Sequence, residues 1–243
     1  MNKSNYNLTK LNNGLKALNI SSTDDQINRL VKFYEMVVEK NKVMNLTSIT
    51  DWDEFVDKHF LDSLVLESVF PEVKDVNKAI DIGTGAGFPG IPLAIMYPNI
   101  EFTLLDTLTK RINFLDEVCK ELELDNISLI AGRAEDYGKD SSYREQYDLC
   151  VTRAVAEINV LSEFTIPFVK ENGKIVFYKS NSVKEELEQG NNSINTLGGK
   201  INNNIEVLIP NTEYKRNLII IDKVENTPSK YPRKAGIPKK RPL

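Results

Sequence analysis

Apolar positions change rhythm once along this chain, near residue 77. Before that point they recur at helical spacing. Leu8, Leu11, Leu15 and Leu18 stand at i, i+3, i+7 and i+10, one face of a first helix. The polar stretch SSTDDQ follows. Its Thr23 and Gln26 have the spacing of a capping box, in which each side chain satisfies a backbone N–H at the helix start. A second helix is predicted from there, with the stripe Ile27, Leu30, Val31, Tyr34 and Val38. Asp51 and Glu54 repeat the spacing. A third helix runs through Phe55, His59, Phe60 and Leu64 to about Phe70, where Pro71 stops it.

Beyond residue 77, short apolar runs alternate with helical stretches. KAIDI (78–82), EFTLLD (101–106), ISLIA (127–131), YDLCVT (147–152) and KIVFYK (174–179) are strand candidates; 91–97, 108–122 and 155–170 are helix candidates. This alternation predicts an α/β fold, a doubly wound sheet, mostly parallel, with helices on both faces. IEVLI (205–209) and NLIIIDKV (217–224) are separated only by PNTEYKR, too short for a crossover helix, and predict a C-terminal antiparallel hairpin. The Asn- and Gly-rich NNSINTLGGKINNN (191–204) reads as a loop, and Gly173 in IPFVKENGKI (166–175) as turn chemistry. The expected division is an N-terminal helical cap (1–72), a sheet domain (73–228) and a basic arm (229–243).

Composition narrows the partners. No apolar run reaches the ~18 residues of a membrane helix, and MNKSNYNLTK lacks the apolar core of a secretory signal, so a cytoplasmic protein is expected. Cys119 and Cys150 lie far apart without metal-ligand spacing, so reduced thiols and no metal are expected. The net charge of −4 alone argues against nucleic acid. Its distribution points the other way. The last fourteen residues, KYPRKAGIPKKRPL, hold six Lys or Arg and no acid, leaving 25 basic and 35 acidic residues elsewhere. Such a tail is either an interaction segment or simply solvated.

The chemistry begins at DIGTGAGFPG (81–90), a glycine-rich turn between a strand and a helix. Gly83, Gly85 and Gly87 permit positive φ and let a ligand touch the main chain. A dinucleotide fingerprint needs a third glycine where Phe88 stands. Pro89 and Pro92 also remove N–H groups that would cradle phosphate at the helix start. A nucleotide-like ligand without phosphate fits better, and S-adenosylmethionine is one. Asp106, 23 residues after Gly83, suits ribose hydroxyls or a helix cap. In GRAED (132–136), Ala134 and Glu135 offer an N–H and an acceptor to an adenine edge, unless Glu135 is a solvated loop acid. In TRAVAE (152–157), Arg153 stands at the carboxyl end of its strand, facing the mouth of the site or bare solvent.

The segments DIGTGAGFPGIPLAI, LLDTLTKRINFL, GRAED and TRA, with VMNLTSI (43–49), HFLDSL (59–64) and the tail YPRKAGIPKKRPL, resemble the ribosomal RNA small-subunit methyltransferase G family. The likeness runs from about residue 30 to the C-terminus, with the motifs in order. It implies a Rossmann-like S-adenosylmethionine-dependent methyltransferase fold. It also implies N7-methylation of one guanine in the 530 loop of 16S rRNA, with the small ribosomal subunit or an assembly intermediate as partner. By the same resemblance Gly83 and Phe88, in the turn with Gly85 and Gly87, meet the cofactor. Asp106, Thr107 and Leu108 form its ribose side, Ala134 and Glu135 its adenine side, and Arg153 belongs to a motif in which Thr152 replaces the usual Ser.

Guanine N7 carries a free lone pair on its Hoogsteen edge. No proton leaves before attack, so no general base is required and positioning is the expected source of catalysis. No residue is assigned as certainly catalytic. The candidate guides are Asn45, His59, Asp62, Arg153 and Lys179; each also has a plain structural reading, His59 as a hydrogen-bonded histidine, Asn45 as a turn cap. Lys110, Arg111, Arg133, Arg233, Lys234, Lys239, Lys240 and Arg241 are the candidates for RNA phosphates. Deleting 230–243 is expected to weaken RNA binding while leaving cofactor affinity unchanged, and nothing requires more than a monomer. A small-molecule methyltransferase would share the cofactor half without needing the tail; a non-catalytic RNA-binding module would not bind the cofactor.

Overall fold

The computed structural model describes residues 6–153, 156–180 and 183–243; Ala154 and Val155 of TRAVAE lie outside the described residues. Within them the strands β1 (Lys78–Ile82), β2 (Glu101–Asp106), β3 (Ile127–Ala131), β4 (Tyr147–Arg153), β5 (Val169–Lys179), β6 (Gly199–Leu208) and β7 (Lys215–Lys223) form one sheet. Its order is β3-β2-β1-β4-β5-β7-β6. The first five strands are parallel, and β7 runs antiparallel between β5 and β6. The chain starts mid-sheet at β1, winds out to β3 and returns to β4. Strand order therefore reverses between β1 and β4, the crevice where open α/β sheets take their ligands.

The first three strands coincide residue for residue with the apolar runs. Alternate residues serve opposite faces: Ala79 joins one core with Phe102, Leu149 and Val176, and Ile80 the other with Cys150, Ile175 and Phe177. Two expectations fail downstream. Gly173 lies inside β5; a Cβ there would stand 2.7 Å from the Asp148 carbonyl, while Asn172 takes the positive φ of 67°. The Asn-rich segment is not a loop. It completes a helix (Lys184–Thr196) and opens β6. Ile194 and Leu197, both fully buried, hold this helix end down, and Gly198, at φ 85°, turns the chain. Asn202, Asn203 and Asn204 are exposed on an edge strand, so their composition hides a strand that the pairing with β7 creates.

The cap is helical as expected. In α1 (Thr9–Ala17), Leu11 and Leu15 are buried. In α2 (Asp24–Met44) the capping box forms, with Gln26 N–H donating to Thr23 Oγ1 (3.2 Å) and Thr23 N–H to Gln26 Oε1 (2.9 Å). Its buried stripe takes in Phe33 and Val37, while Val38 is only half-buried. The third helical run, residues 52–68, starts where Asp51 accepts the Glu54 N–H (3.0 Å). It is not uniform: Trp52–Phe55 is α, Val56–Leu61 is a π turn, and Val65–Ser68 tightens to 3₁₀. A π turn inside a helix frequently marks a functional site. Cap and sheet share one core, with Phe88 packed on Phe33 (5.3 Å) and Phe55 (5.7 Å) and Tyr178 Oη donating to the Ser63 carbonyl (2.9 Å).

The arm packs on the opposite face. Tyr231, Pro232 and Pro238 are buried. Arg144 donates to the carbonyls of Gly138 (3.0 Å) and Tyr231 (2.7 Å). The Arg233 guanidinium grips the wholly buried Glu163 through Nη2 (2.6 Å) and Nε (3.0 Å). The tail is thus an ordered part of the fold. Cys119 and Cys150 are free thiols. Among the described residues no helix is long and apolar enough to cross a membrane.

Candidate active site and RNA-facing surface

β1 ends at Ile82, and the chain turns back through Gly83, Gly85 and Gly87, with φ 74°, 62° and 99°. These are conformations side chains resist. Gly83 N–H donates to the Leu105 carbonyl (2.8 Å), folding the turn over the end of β2. The space a Cβ would take at Gly85 is open, so this stretch of main chain is accessible; at Gly87 it is filled by Ile91 and Leu115. Asp106, 3% exposed, ties the turn to β2: its Oδ2 accepts the Gly85 N–H (3.0 Å) and its Oδ1 the Leu108 N–H (2.8 Å). Arg111 pairs with the same carboxylate (3.2 Å). Behind the turn Asp81 is fully buried; its Oδ2 accepts the Gly90 N–H (2.9 Å), and burial raises its pKa to about 7.

A cleft of about 470 Å³ opens at the carboxyl ends of β1, β2 and β3. Gly83, Asp106, Thr107, Ala134 and Glu135 line it, as do Arg111 and Arg133. Sequence reasoning missed Ile82, Leu105 and Phe164 here, and missed the arm, which supplies Gly236 and Lys239. Glu135 Oε1 accepts the Gly236 N–H (2.9 Å). The arm is therefore a wall of the cleft, a placement that argues against its removal leaving cofactor affinity unchanged. No local signal announced this contact, which joins residues 101 positions apart. Phe88 and Arg153 do not line the cleft. The Phe88 ring is buried, stacked on His59 at 4.5 Å with Arg153 Cζ 5.1 Å from its centre.

His59 and Arg153, but not Phe88, belong to a second cavity, about 550 Å³, beside the ends of β4 and β5. His59, Asp62 and Arg153 line it with Lys58, Tyr214 and Arg216. Asp62 is wholly buried and accepts from Arg153 Nη1 (2.6 Å) and from Arg216 Nε (2.5 Å) and Nη2 (2.9 Å). His59 sits between Arg153 Nη2 (3.2 Å from Nδ1) and Thr47 Oγ1 (2.8 Å from Nε2). Arginine cannot accept, so Nδ1 holds the lone pair and Nε2 the proton. Burial, and then the Arg153 charge, lower its pKa to about 3, so the ring is neutral. Thr152 Oγ1 donates to the Ile82 carbonyl (2.8 Å) and joins the two cavities across the β1/β4 boundary.

The remaining candidates lie elsewhere. Asn45 ends α2 in the left-handed conformation, φ 50°, and lines neither cavity. Asn41, not foreseen, orders that turn by accepting the N–H groups of Leu46 (2.6 Å) and Thr47 (2.9 Å). The Lys179 ammonium meets the Ala156 carbonyl (2.7 Å) and Glu186, and so fixes the segment after β4. Arg233 is the anchor on Glu163. Lys110, Arg133, Lys234, Lys239, Lys240 and Arg241 are exposed.

Five parallel strands closed by an antiparallel hairpin, a bare glycine turn ending β1 and a buried acid ending β2 together define an S-adenosylmethionine-dependent methyltransferase. A putative O-methyltransferase from Klebsiella pneumoniae shares the fold, with a TM-score of 0.56 at 13% identity over 88% of this chain and 96% of that one. M. jannaschii TYW2 in complex with AdoMet does so at 0.51 and 17%, over 68% and 76%. Within that class, the family model for rRNA small subunit methyltransferase G matches residues 26–219. The Ribosomal RNA small subunit methyltransferase G of Clostridium tetani is 46% identical over 233 residues, 96% of this chain and 97% of that protein. The chain belongs to this family and is a methyltransferase of small-subunit rRNA.

Proposed function

We propose that the chain transfers the methyl group of S-adenosylmethionine to N7 of a single guanine in the 530 loop of 16S rRNA, in the cytoplasm, on the small subunit or an assembly intermediate. The observation that carries the choice of atom is the state of the second cavity. Its three buried titratable groups are all engaged, Asp57 through Oδ2 with Lys10 (2.6 Å). Asp62 is held by two arginines, and the one lone pair of neutral His59 faces Arg153. His59 and Asp62 are committed to arginines and Asp57 to Lys10, and N7 has no proton to give.

The first cleft fits the cofactor. Asp106 and Glu135 are acceptors for hydroxyl and amine groups, the Gly83–Gly85 main chain is open, and Pro89 and Pro92 leave no phosphate cradle at the helix start. Bound there, S-adenosylmethionine supplies an electrophilic methyl group. The protein's own part is orientation. Tyr214, 45% exposed on the rim of the second cavity, offers an aromatic face to a splayed loop base, and Arg153 and Arg216 present charge. Well-oriented groups recover roughly 7–11 kcal/mol of a barrier. The test is transfer of labelled methyl to 16S rRNA and to 30S particles, with mass-spectrometric mapping. N7-methylguanosine at one loop position is expected; label on another atom or another loop overturns the proposal.

A further inference from the structure

We infer that rRNA binding and cofactor binding are coupled through the C-terminal arm, and that the coupling favours the charged methyl donor over its neutral product. The inference rests on the functional reading above. Its basis is that one element bears two surfaces. Inward, Gly236 donates to Glu135, and Gly236 and Lys239 wall the cofactor cleft. Arg233 on buried Glu163 holds the arm in place, so it cannot shift without moving that wall. Outward, Lys234, Lys239, Lys240 and Arg241 are exposed, and none pairs with a carboxylate among the described residues. Arg133 stands on the same cleft, also exposed and without such a partner.

Charge gives the coupling its sign. The cleft is lined by Arg111, Arg133 and Lys239 against Asp106 and Glu135, an excess of one positive charge. S-adenosylmethionine carries a sulfonium, an ammonium and a carboxylate, net +1; S-adenosylhomocysteine is net neutral. In the transfer the S–CH3 bonding pair stays on sulfur, the N7 lone pair forms the new bond, and the positive charge passes to the guanine. Without RNA, the basic lip therefore disfavours the donor relative to the product. Phosphates seated on Arg133 and Lys239 lie within a Debye length of about 8–10 Å and reverse that bias. Linkage makes the effect reciprocal: the factor by which RNA tightens the donor is the factor by which the donor tightens RNA.

The experiment titrates S-adenosylmethionine and S-adenosylhomocysteine calorimetrically into the full chain, with and without a saturating small-subunit rRNA fragment. The target guanosine is replaced by 7-deazaguanosine, which cannot accept the methyl group. Labelled-RNA anisotropy reports RNA binding in the same samples. RNA is expected to tighten the donor about 5-fold, at the low end of measured couplings, and the product less. The double variant Arg133→Gln, Lys239→Gln is expected to lose that difference. RNA that binds but leaves both cofactor affinities unmoved, or moves them equally, overturns the inference alone. RNA that does not bind overturns the functional reading and the inference with it.

Discussion

At the residue scale, the site rests on a few buried polar groups with assigned partners. Asp106 is the clearest, since one carboxylate holds both the glycine turn and the start of the following segment. Replacing it by Asn removes charge-assisted bonds of about 1.5–3 kcal/mol. Cofactor dissociation constants should rise roughly 10- to 100-fold in calorimetry; an unchanged constant would exclude Asp106 from the ligand. His59 makes a prediction in pH. Its pKa falls from 6.5 to about 3 on folding, so the unfolded chain binds the extra proton. Stability linked to this residue is fully present above pH 6.5 and is lost as pH falls from there towards about 3, by up to about 1.4 kcal/mol per unit. His59→Asn retains an acceptor and a donor without titrating. Urea unfolding at pH 7 and pH 5 should show the wild type losing more stability on acidification than this variant. The glycines and Asp106 were legible because turn chemistry is local. The neutral state of His59 was not, because it depends on Arg153, 94 positions away.

At the scale of elements, the sequence revealed what periodicity encodes and missed what packing imposes. β1 to β3 follow from apolar runs alone, and the α2 cap from two residues. The π turn at Val56–Leu61 leaves no trace in a pattern of period 3.6, yet it sits where Asp57, Lys58 and His59 reach the second cavity. The end of the helix Lys184–Thr196, from residue 191, reads as loop because only its inner face, Gly190, Ser193 and Ile194, is buried. One anchor of the arm is the ion pair between partly exposed Arg233 and wholly buried Glu163. Removing one partner there leaves an uncompensated charge, at a cost of about 3–5 kcal/mol. Arg233→Ala should therefore lower the urea midpoint far more than Lys234→Ala, the exposed neighbour. Equal effects would show that Glu163 finds another partner.

Across the whole molecule, an acidic body carries a basic arm along one wall of the first cleft. The polar lining of the first cleft was readable from motifs strung along β1, β2 and β3. The second cavity was not, because Asp62 and Arg216 are 154 positions apart and only the sheet order brings them together. The arm borders the first cleft, and its structure divides its cations into two kinds. Lys230, Lys234, Lys239, Lys240 and Arg241 are exposed; Arg233 is held by Glu163. Each phosphate contact on single-stranded RNA contributes a slope of about 0.7 to log K against log salt. Filter binding of an rRNA fragment over a salt series should thus show Lys234→Gln and Lys240→Gln each flattening the dependence. Deleting residues 230–243 should flatten it by about 3.5, from its five exposed cations. The deletion also takes away the Gly236 wall, so cofactor affinity should fall in the same protein even without RNA. The two losses separate in Lys240→Gln, whose exposed side chain does not line the cleft: RNA affinity should drop while cofactor affinity without RNA stays. A deletion that leaves the salt slope intact would move the RNA path off this face altogether.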